Sequence, residues 1–402
     1  MPNPNQLDNN KVAFGIKINR LGLGTLALLA ALAVPLAALA DGPPPHHFAS
    51  LQLLHPVATS VNPETTTNFR LSVLYGRSGE VYGLDLNGVA SYTSGDVTAF
   101  QLNGLYSGTG GLFKGMSATL GLTHTKRGAA GFRLSGLGNY NEDAFAGVQM
   151  AGVLNYTRRG LAGAQISSIL NINDGAGTFL QMASVANVNV GPFAGLQLSV
   201  FMNAANNRMS GGQLGVVNYG ETMNGVQVGV FNTSNQFHGL KVGVVNSSQE
   251  FSGTAIGLVN MDNQSRKDWL FYGSNLSLVN IGFRTVLNRW SSIISTGYFD
   301  LQGDVDESLF FGWNFGRNIP LNRKWDLTID VGYQHIIPKA SNNRAENDRL
   351  HYSLQARALV DYHLKDNLGL VGSVGSSTVF SEYSSDATNE TDFHFTAGIV
   401  LY

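Results

Sequence analysis

The sequence contains no cysteine among its 402 residues, which excludes a disulfide framework and a thiolate metal site. It also offers no lipoprotein acceptor, so we expect export without a lipid anchor. Charged residues make up only 13% and the formal net charge is −2, which leaves no basic face for nucleic acid. We therefore expect no nucleic-acid partner, no metal and no cofactor.

Long hydrophobic runs are missing after Ala40, although hydrophobic residues reach 43% of the chain. A membrane helix needs about 20 consecutive apolar residues, and no later segment supplies them. The apolar residues must therefore alternate with polar ones, as they do in β-strands. This distribution predicts an all-β protein.

The N-terminus has the pattern of a secretory signal peptide over residues 1–40. Lys11, Lys17 and Arg20 precede an apolar run that ends on Ala-Leu-Ala before Asp41. An uncleaved helix is the alternative, but Pro35 and the small-residue ending favour cleavage. Residues 41–67 are aperiodic and contain proline and histidine, which predicts a linker or tail.

Glycine is abundant, at 48 residues, and it marks an internal repeat over residues 83–262. The period is sixteen residues up to about residue 211 and fourteen from there on. Twelve copies can be counted, and those at Gly115 and Phe179 are weaker. Their first residues are Gly83, Ala99, Gly115, Gly131, Gly147, Gly163, Phe179, Gly195, Gly211, Gly225, Gly239 and Gly253.

Each copy alternates with a period of two, which is the side-chain period of a strand. In one copy Leu240, Val242 and Val244 alternate with glycine and Lys241. The apolar face, Val242 included, is expected to be buried, either in a solenoid core or against lipid in a barrel wall.

An asparagine recurs near the end of each copy, where it suits a strand-to-turn corner. In a β-solenoid equivalent asparagines would stack into a ladder, whereas in an antiparallel meander they would fall alternately on opposite rims. Equal connection lengths favour the solenoid over one continuous antiparallel barrel of roughly twenty strands. The ladder is predicted to contain Asn155, Asn171, Asn187, Asn203, Asn218, Asn232, Asn246 and Asn260.

Residues 263–402 have the pattern of an outer-membrane β-barrel, with apolar and aromatic residues on one face and charges on the other. Counting back from Tyr402 gives six strands to Trp290 and a seventh from Trp269 to Phe283. An eighth could be Phe69–Tyr75, within residues 68–82, pairing with the barrel ahead of the repeats. With seven strands after the repeats and the C-terminus in the periplasm, the repeats would lie on the outer face of the membrane.

Six charged or titratable residues share the predicted inward face of these strands. A buried ion-pair network that fills a small barrel is favoured, and a hydrolase at the barrel lip is the alternative. The residues are Asp326, Asp330, Arg357, Asp361, His363 and His394.

The repeat of the Gly-Leu-Gln-Leu-Gly-Val-Val-Asn type, the strand ahead of it and the segment Asn280-Ile-Gly-Phe-Arg-Thr285 resemble the surface-repeat-containing envelope proteins of spirochaetes and Bacteroidetes. The resemblance is carried mostly by residues 83–260. It implies a surface-associated protein and supplies no active site. The sixteen-residue early copies and the missing lipoprotein cysteine depart from that pattern.

Together these patterns predict a non-catalytic structural or binding protein of the outer membrane or cell surface, exported from a Gram-negative cell. Its partner is outer-membrane lipid, and the sequence does not identify a surface ligand. A porin-like channel is the main alternative, and the barrel-lip hydrolase ranks below it.

Overall fold

The computed structural model describes residues 47–59, 64–275, 277–301, 305–337, 351–381 and 390–402. These residues form a parallel β-solenoid of about thirteen coils followed by a closed antiparallel barrel. Within the same ranges no helix is long and apolar enough to cross a membrane. The predicted signal peptide lies outside the described residues.

The solenoid contains strands β1 to β23. In chain order they are His47–Leu54, Val57–Ala58, Thr66–Ser78, Glu80–Asn87, Ala90–Thr93, Val97–Asn103, Tyr106–Thr109, Leu112–Thr119, Leu122–Thr125, Gly128–Ser135, Gly138–Asn141, Phe145–Ala151, Leu154–Thr157, Gly160–Ser167, Leu170–Asn173, Ala176–Ala183, Ala186–Asn189, Phe193–Ser199, Met202–Leu214, Val217–Val228, Phe231–Val242, Val245–Ile256 and Val259–Met261. The barrel contains β24 to β31, which are Arg266–Ser274, Asn280–Leu287, Trp290–Leu301, Val305–Pro320, Trp325–Ile337, His351–Lys365, Leu368–Ser381 and Glu390–Leu401.

A sixteen-residue coil consists of a long strand, a turn, a short strand and a second turn. The long strand β12 pairs in parallel with β10 and β14, and the short strand β13 pairs in parallel with β11 and β15. Asn155 consequently stands opposite Asn139 and Asn171. Parallel stacking confirms the solenoid and excludes the single antiparallel barrel.

The shorter repeat period changes the strands but not the stacking. From β19 onward each short strand continues into the next long strand, so that β19 is 13 residues long and β20, β21 and β22 are 12 residues long. Asn232 lies between Asn218 and Asn246, at a register offset of fourteen residues. Coils of both lengths therefore belong to one continuous stack.

The solenoid begins earlier than the sequence repeats indicate. β1, in the segment predicted to be a linker, pairs in parallel with β3. β3 carries Phe69–Tyr75 and pairs with β1, β4 and β5. The predicted pairing of this segment with the barrel is therefore wrong. The strand count that placed the repeats on the outer face of the membrane no longer holds.

The polar face of the repeat points into the solenoid, and the apolar face points outward. Lys241 is fully buried, whereas Val242 is only half-buried and Val244 is 42% exposed. The expectation that Val242 lies in a solenoid core is wrong. Period-two alternation separates two faces but does not say which one is inside, and here many inward polar side chains hydrogen-bond to one another.

An apolar column remains inside the solenoid at the start of the long strands. Phe113, Phe145 and Leu161 belong to one buried cluster, and Met209 and Phe237 belong to a second. The interior thus combines an apolar column with polar columns beside it.

The repeat glycines form a column of positive φ angles, for example 124° at Gly147 and 136° at Gly163. A Cβ atom at Gly163 would lie 2.0 Å from the carbonyl oxygen of Gly147 in the neighbouring coil. Glycine is required there both for the backbone conformation and for the close approach. Phe179 takes the same place in its coil, with φ at 91°.

The barrel closes with eight antiparallel strands because β24 pairs with both β25 and β31. The region predicted to be one strand from Trp269 to Phe283 contains parts of two, β24 and β25. The connections 288–289, 321–324 and 366–367 lie on one rim, together with the start of β24 and the end of β31. We call it the short-turn rim. The opposite ends of the same strands, including Ser274, Asn280, Leu301 and Ile337, form the other rim.

We expect Gly163→Ala to lower the free energy of unfolding by at least about 2 kcal/mol, because it combines backbone strain with a clash against a main-chain oxygen. Gly128→Ala is the matched control, since its Cβ would meet no atom closer than 3.4 Å, and should change stability by less than about 0.5 kcal/mol. Denaturant unfolding followed by far-ultraviolet circular dichroism measures both. Equal effects of the two substitutions would contradict the close-approach argument.

Deleting residues 225–238 removes one whole coil and should be tolerated. The deletion joins Asn224 to Gly239, and Asn224 is the register partner of His238. Each coil contacts only its neighbours, so the remaining stack can close the gap. The deleted protein should keep its circular dichroism spectrum and a cooperative transition, whereas a ten-residue deletion from Gly225, which breaks the register, should not.

Candidate functional site

An asparagine ladder runs through the second half of the solenoid. Each Nδ2 donates to the Oδ1 of the next asparagine at 2.7–2.9 Å. Asn155 Nδ2 also donates to the carbonyl oxygen of Ile166 at 2.8 Å. The amide thus satisfies a neighbour and a corner carbonyl at once. The ladder contains Asn139, Asn155, Asn171, Asn187, Asn203, Asn218, Asn232, Asn246 and Asn260, all at most 2% exposed.

A glutamine ladder lies beside it on the long strands. From Gln181 to Gln227, each glutamine donates its Nε2 to the preceding Oε1 at 2.7–2.9 Å, beginning with Gln165 as acceptor. The ladder was not predicted from the sequence. Successive copies do carry a glutamine two residues after the repeat glycine, but this pattern predicts a ladder only when the polar face of the strand is known to point into the solenoid.

Two buried cations stand in register with the glutamines, Arg133 opposite Gln149 and Lys241 beyond the last glutamine, Gln227. Arg133 donates to Asn141 Oδ1 at 2.9 Å and stacks 4.2 Å above Phe113, and burial lowers its pKa to about 9. Lys241 donates from Nζ to the hydroxyls of Ser234 and Ser248 at 2.8 Å. Burial lowers the pKa of Lys241 to about 7. Both cations are held by neutral hydrogen-bond acceptors.

The barrel lumen contains one charged layer near the short-turn rim. Arg284 bridges Asp268 and Asp361 at 2.7 Å each. Arg266 contacts Asp326 at 2.6 Å, and His363 Nε2 lies 3.3 Å from the same carboxylate. Because β25 and β29 are not adjacent strands, the Arg284–Asp361 pair crosses the lumen. The three predicted residues Asp326, Asp361 and His363 meet here.

A second charged layer lies deeper in the barrel. Arg357 contacts Asp330 through two hydrogen bonds of 3.0 and 2.9 Å. His394 is in the same row, separated from Arg357 only by Gly375. Between the two charged layers lies a buried apolar layer formed by Leu270, Ile293, Leu359, Val371 and Val400.

Arg266, Asp268 and Arg284 were missed because they lie just outside the segment that was predicted to be a single strand. Their signal was present, since Arg266, Asp268 and Leu270 alternate along β24. Splitting that segment into two strands brings all three into the lumen.

The side chains of the described lumen residues contact one another across the barrel. A cavity of about 10 Å³ lies between the apolar layer and Arg357, roughly the space for one water. The carboxylates of Asp326, Asp330 and Asp361 are each engaged by arginine. In the part of the chain that the structure describes, no group of three or more potential ligands could hold a metal ion.

The last coil of the solenoid docks on the outer wall of the barrel. Asn288 Nδ2 donates to the carbonyl oxygen of Gly253 at 2.8 Å. Ser292 Oγ lies 2.7 Å from the carbonyl oxygen of Gly257 and accepts from Trp313 Nε1 at 2.9 Å. Barrel side chains thus hydrogen-bond to carbonyl groups that would pair with another coil if the solenoid continued. This covers the sheet edge, which could otherwise pair with another chain.

The chain matches no known family model, and comparisons with curated proteins and with solved structures also found no match.

Lys241→Gln should stabilise the solenoid and remove a pH dependence. Since the folded pKa of Lys241 lies below its unfolded value, the unfolded chain binds more protons above about pH 7, and stability should rise there by up to about 1.4 kcal/mol per pH unit. The introduced amide can donate to Gln227 Oε1 and extend the ladder.

The measurement is denaturant unfolding in detergent micelles at about pH 6 and about pH 9. Wild-type protein should be more stable at the higher pH, and Lys241→Gln should reduce that difference. Lys114→Gln, at an exposed lysine, is the control and should keep it. A variant less stable than wild type at the lower pH would contradict the assignment.

Proposed function

We propose that this protein is a non-catalytic outer-membrane protein in which the barrel is the anchor and the solenoid is a structural or binding array held against it. The observation that carries the proposal is the polarity of the closed barrel. Its outer wall exposes large apolar side chains, and its interior holds the two charged layers. The exposed set includes Trp269, Phe271, Phe311, Ile329, Val331, Tyr333, Leu354, Val374 and Ile399.

That polarity is the reverse of a water-soluble barrel and suits a wall surrounded by lipid. Val331 is 64% exposed and Val374 is 56% exposed near the middle of their strands. In water such a belt would be costly, because large contiguous apolar patches are rare on soluble monomers. In a bilayer it is the favourable surface.

The position of the solenoid supports placing it on the periplasmic side. Outer-membrane barrels have short periplasmic turns and longer outer loops. The solenoid enters the barrel at Arg266, on the short-turn rim, and docks beside the turn at 288–289. The prediction that the repeats lie on the outer surface was based on counting Phe69–Tyr75 as a barrel strand, and this segment belongs to the solenoid.

The packed lumen favours an anchor over a channel. An apolar layer separates the two charged layers, and ion conduction would require moving several buried side chains. The arginine-bound carboxylates likewise favour a structural network over a hydrolase, because a catalytic base must be free to accept a proton.

The mature protein should fractionate with outer membranes and show heat-modifiable gel mobility. Val331→Arg should destabilise the barrel in lipid vesicles by about 2 to 4 kcal/mol, whereas Ile319→Arg, close to the short-turn rim, should cost about 1 kcal/mol or less. Folding titrations in vesicles measure both.

The comparison of Val331→Arg with Ile319→Arg is the control, because two exposed sites in water would tolerate arginine equally well. Recovery of the wild-type protein as a soluble periplasmic species would overturn the anchor. Steady conductance in planar bilayers would favour the channel instead.

A further inference from the structure

The solenoid surface is divided along its whole length into an apolar and a polar edge. The turn after each long strand carries an exposed aliphatic residue, including Val153, Ile169, Val185, Val200, Val216 and Val244 at 37–71% exposure. We call this line, from Val89 to Leu258, the apolar edge. It runs for roughly eleven steps of about 4.8 Å, or about 50 Å.

Most exposed charges of the array lie on the opposite side, and Lys114, which lies within β8, is an exception. They occur between a short strand and the next long strand, at a turn in the earlier coils and within the continuous strand from β19 onward. We call this line the polar edge. The exposed Arg158 and Arg159 carry it in one coil, and the partly buried Glu142 and Asp143 carry it in the coil before. Both signs occur together, so the polar edge is hydrated without being strongly charged.

Many main-chain N–H groups of the apolar edge donate hydrogen bonds within the stack. Val153 N donates to the carbonyl oxygen of Leu137 at 2.9 Å, and Val230 N donates to that of Val216 at 2.9 Å. A surface in contact with hydrocarbon must pair its main-chain groups internally, because lipid offers no hydrogen bonds. The coils at Val153, Val185, Val200, Val216, Val230 and Val244 meet that requirement at the N–H group of the exposed residue.

The junction with the barrel determines the depth of the apolar edge. Trp313, an outward side chain in the middle of β27, lines one apolar groove together with Val244 and Leu258. The polar edge of the same coil, at Asp262, leads directly to Arg266 on the short-turn rim. The polar edge of the last coil therefore lies at the short-turn rim, and its apolar edge lies higher on the outer wall of the barrel.

We infer that the apolar edge is a lipid-binding surface, inserted among the acyl chains of the membrane leaflet next to the short-turn rim. The inference rests on the proposed function, since the barrel wall must itself face lipid. Continuity of the apolar edge with that wall, its lack of charge and its N–H groups bonded within the stack favour acyl chains over a protein partner. The solenoid then lies along the membrane, with its polar edge in water.

The absence of cysteine from the chain makes a site-specific test direct. Single-cysteine variants of the full chain are labelled with a fluorophore and refolded into phosphatidylcholine vesicles that contain nitroxide-labelled acyl chains. Val153→Cys and Val216→Cys report on the apolar edge. Arg159→Cys and Glu221→Cys report on the polar edge of the corresponding coils. Val331→Cys is the reference on the barrel wall, and heat-modifiable mobility verifies folding of every variant.

The inference expects quenching of the apolar-edge labels about as strong as that of Val331→Cys, and several-fold stronger than that of the polar-edge labels. Weak quenching at the apolar edge beside strong quenching at Val331→Cys would overturn the inference and leave the barrel anchor intact. Weak quenching at Val331→Cys would instead overturn the proposed function. In vesicles of unlabelled phosphatidylcholine, spin–spin coupling between copies that carry a nitroxide at Val216→Cys would identify a second copy as the occupant and would also overturn the inference.

Discussion

The structure depends on one constraint, which is that each solenoid coil must hydrogen-bond in register to an equivalent coil above and below it. Parallel pairing brings equivalent residues within the inter-strand spacing of about 4.8 Å. Primary amides suit this geometry because each can donate and accept along the stack. The asparagine and glutamine ladders follow from it, and so does the glycine column, where Gly163 approaches the backbone of Gly147 too closely for a Cβ atom.

A stack of this kind leaves an unpaired edge at each end, and the two ends are covered differently. At the first coil, β2 pairs antiparallel with β1. At the last coil, Asn288 and Ser292 of the barrel contact the free carbonyl groups. The barrel has no edges of its own because it closes on itself. It therefore serves the solenoid as a cap, in addition to its proposed role as an anchor.

The polar interior and the apolar exterior are two consequences of the same arrangement. Inside, amides hydrogen-bond to one another along the stack, and Arg133 and Lys241 use neutral oxygens and aromatic rings in place of carboxylates. Outside, the apolar edge of the solenoid is continuous with the apolar wall of the barrel at Trp313. Under the proposed function, one hydrophobic environment stabilises both parts of the chain.

The sequence by itself determined the strand periodicity, the two repeat lengths, the stacking of the asparagines and the antiparallel character of the last 140 or so residues. Alternation is symmetric, however, and does not distinguish inside from outside, so the burial of Lys241 and the exposure of Val244 were decided by tertiary structure. The barrel boundary was likewise decided by closure, because β24 must pair with β31. Pairs such as Arg284–Asp361 join strands that are distant in the chain, and no local pattern encodes which arginine meets which carboxylate.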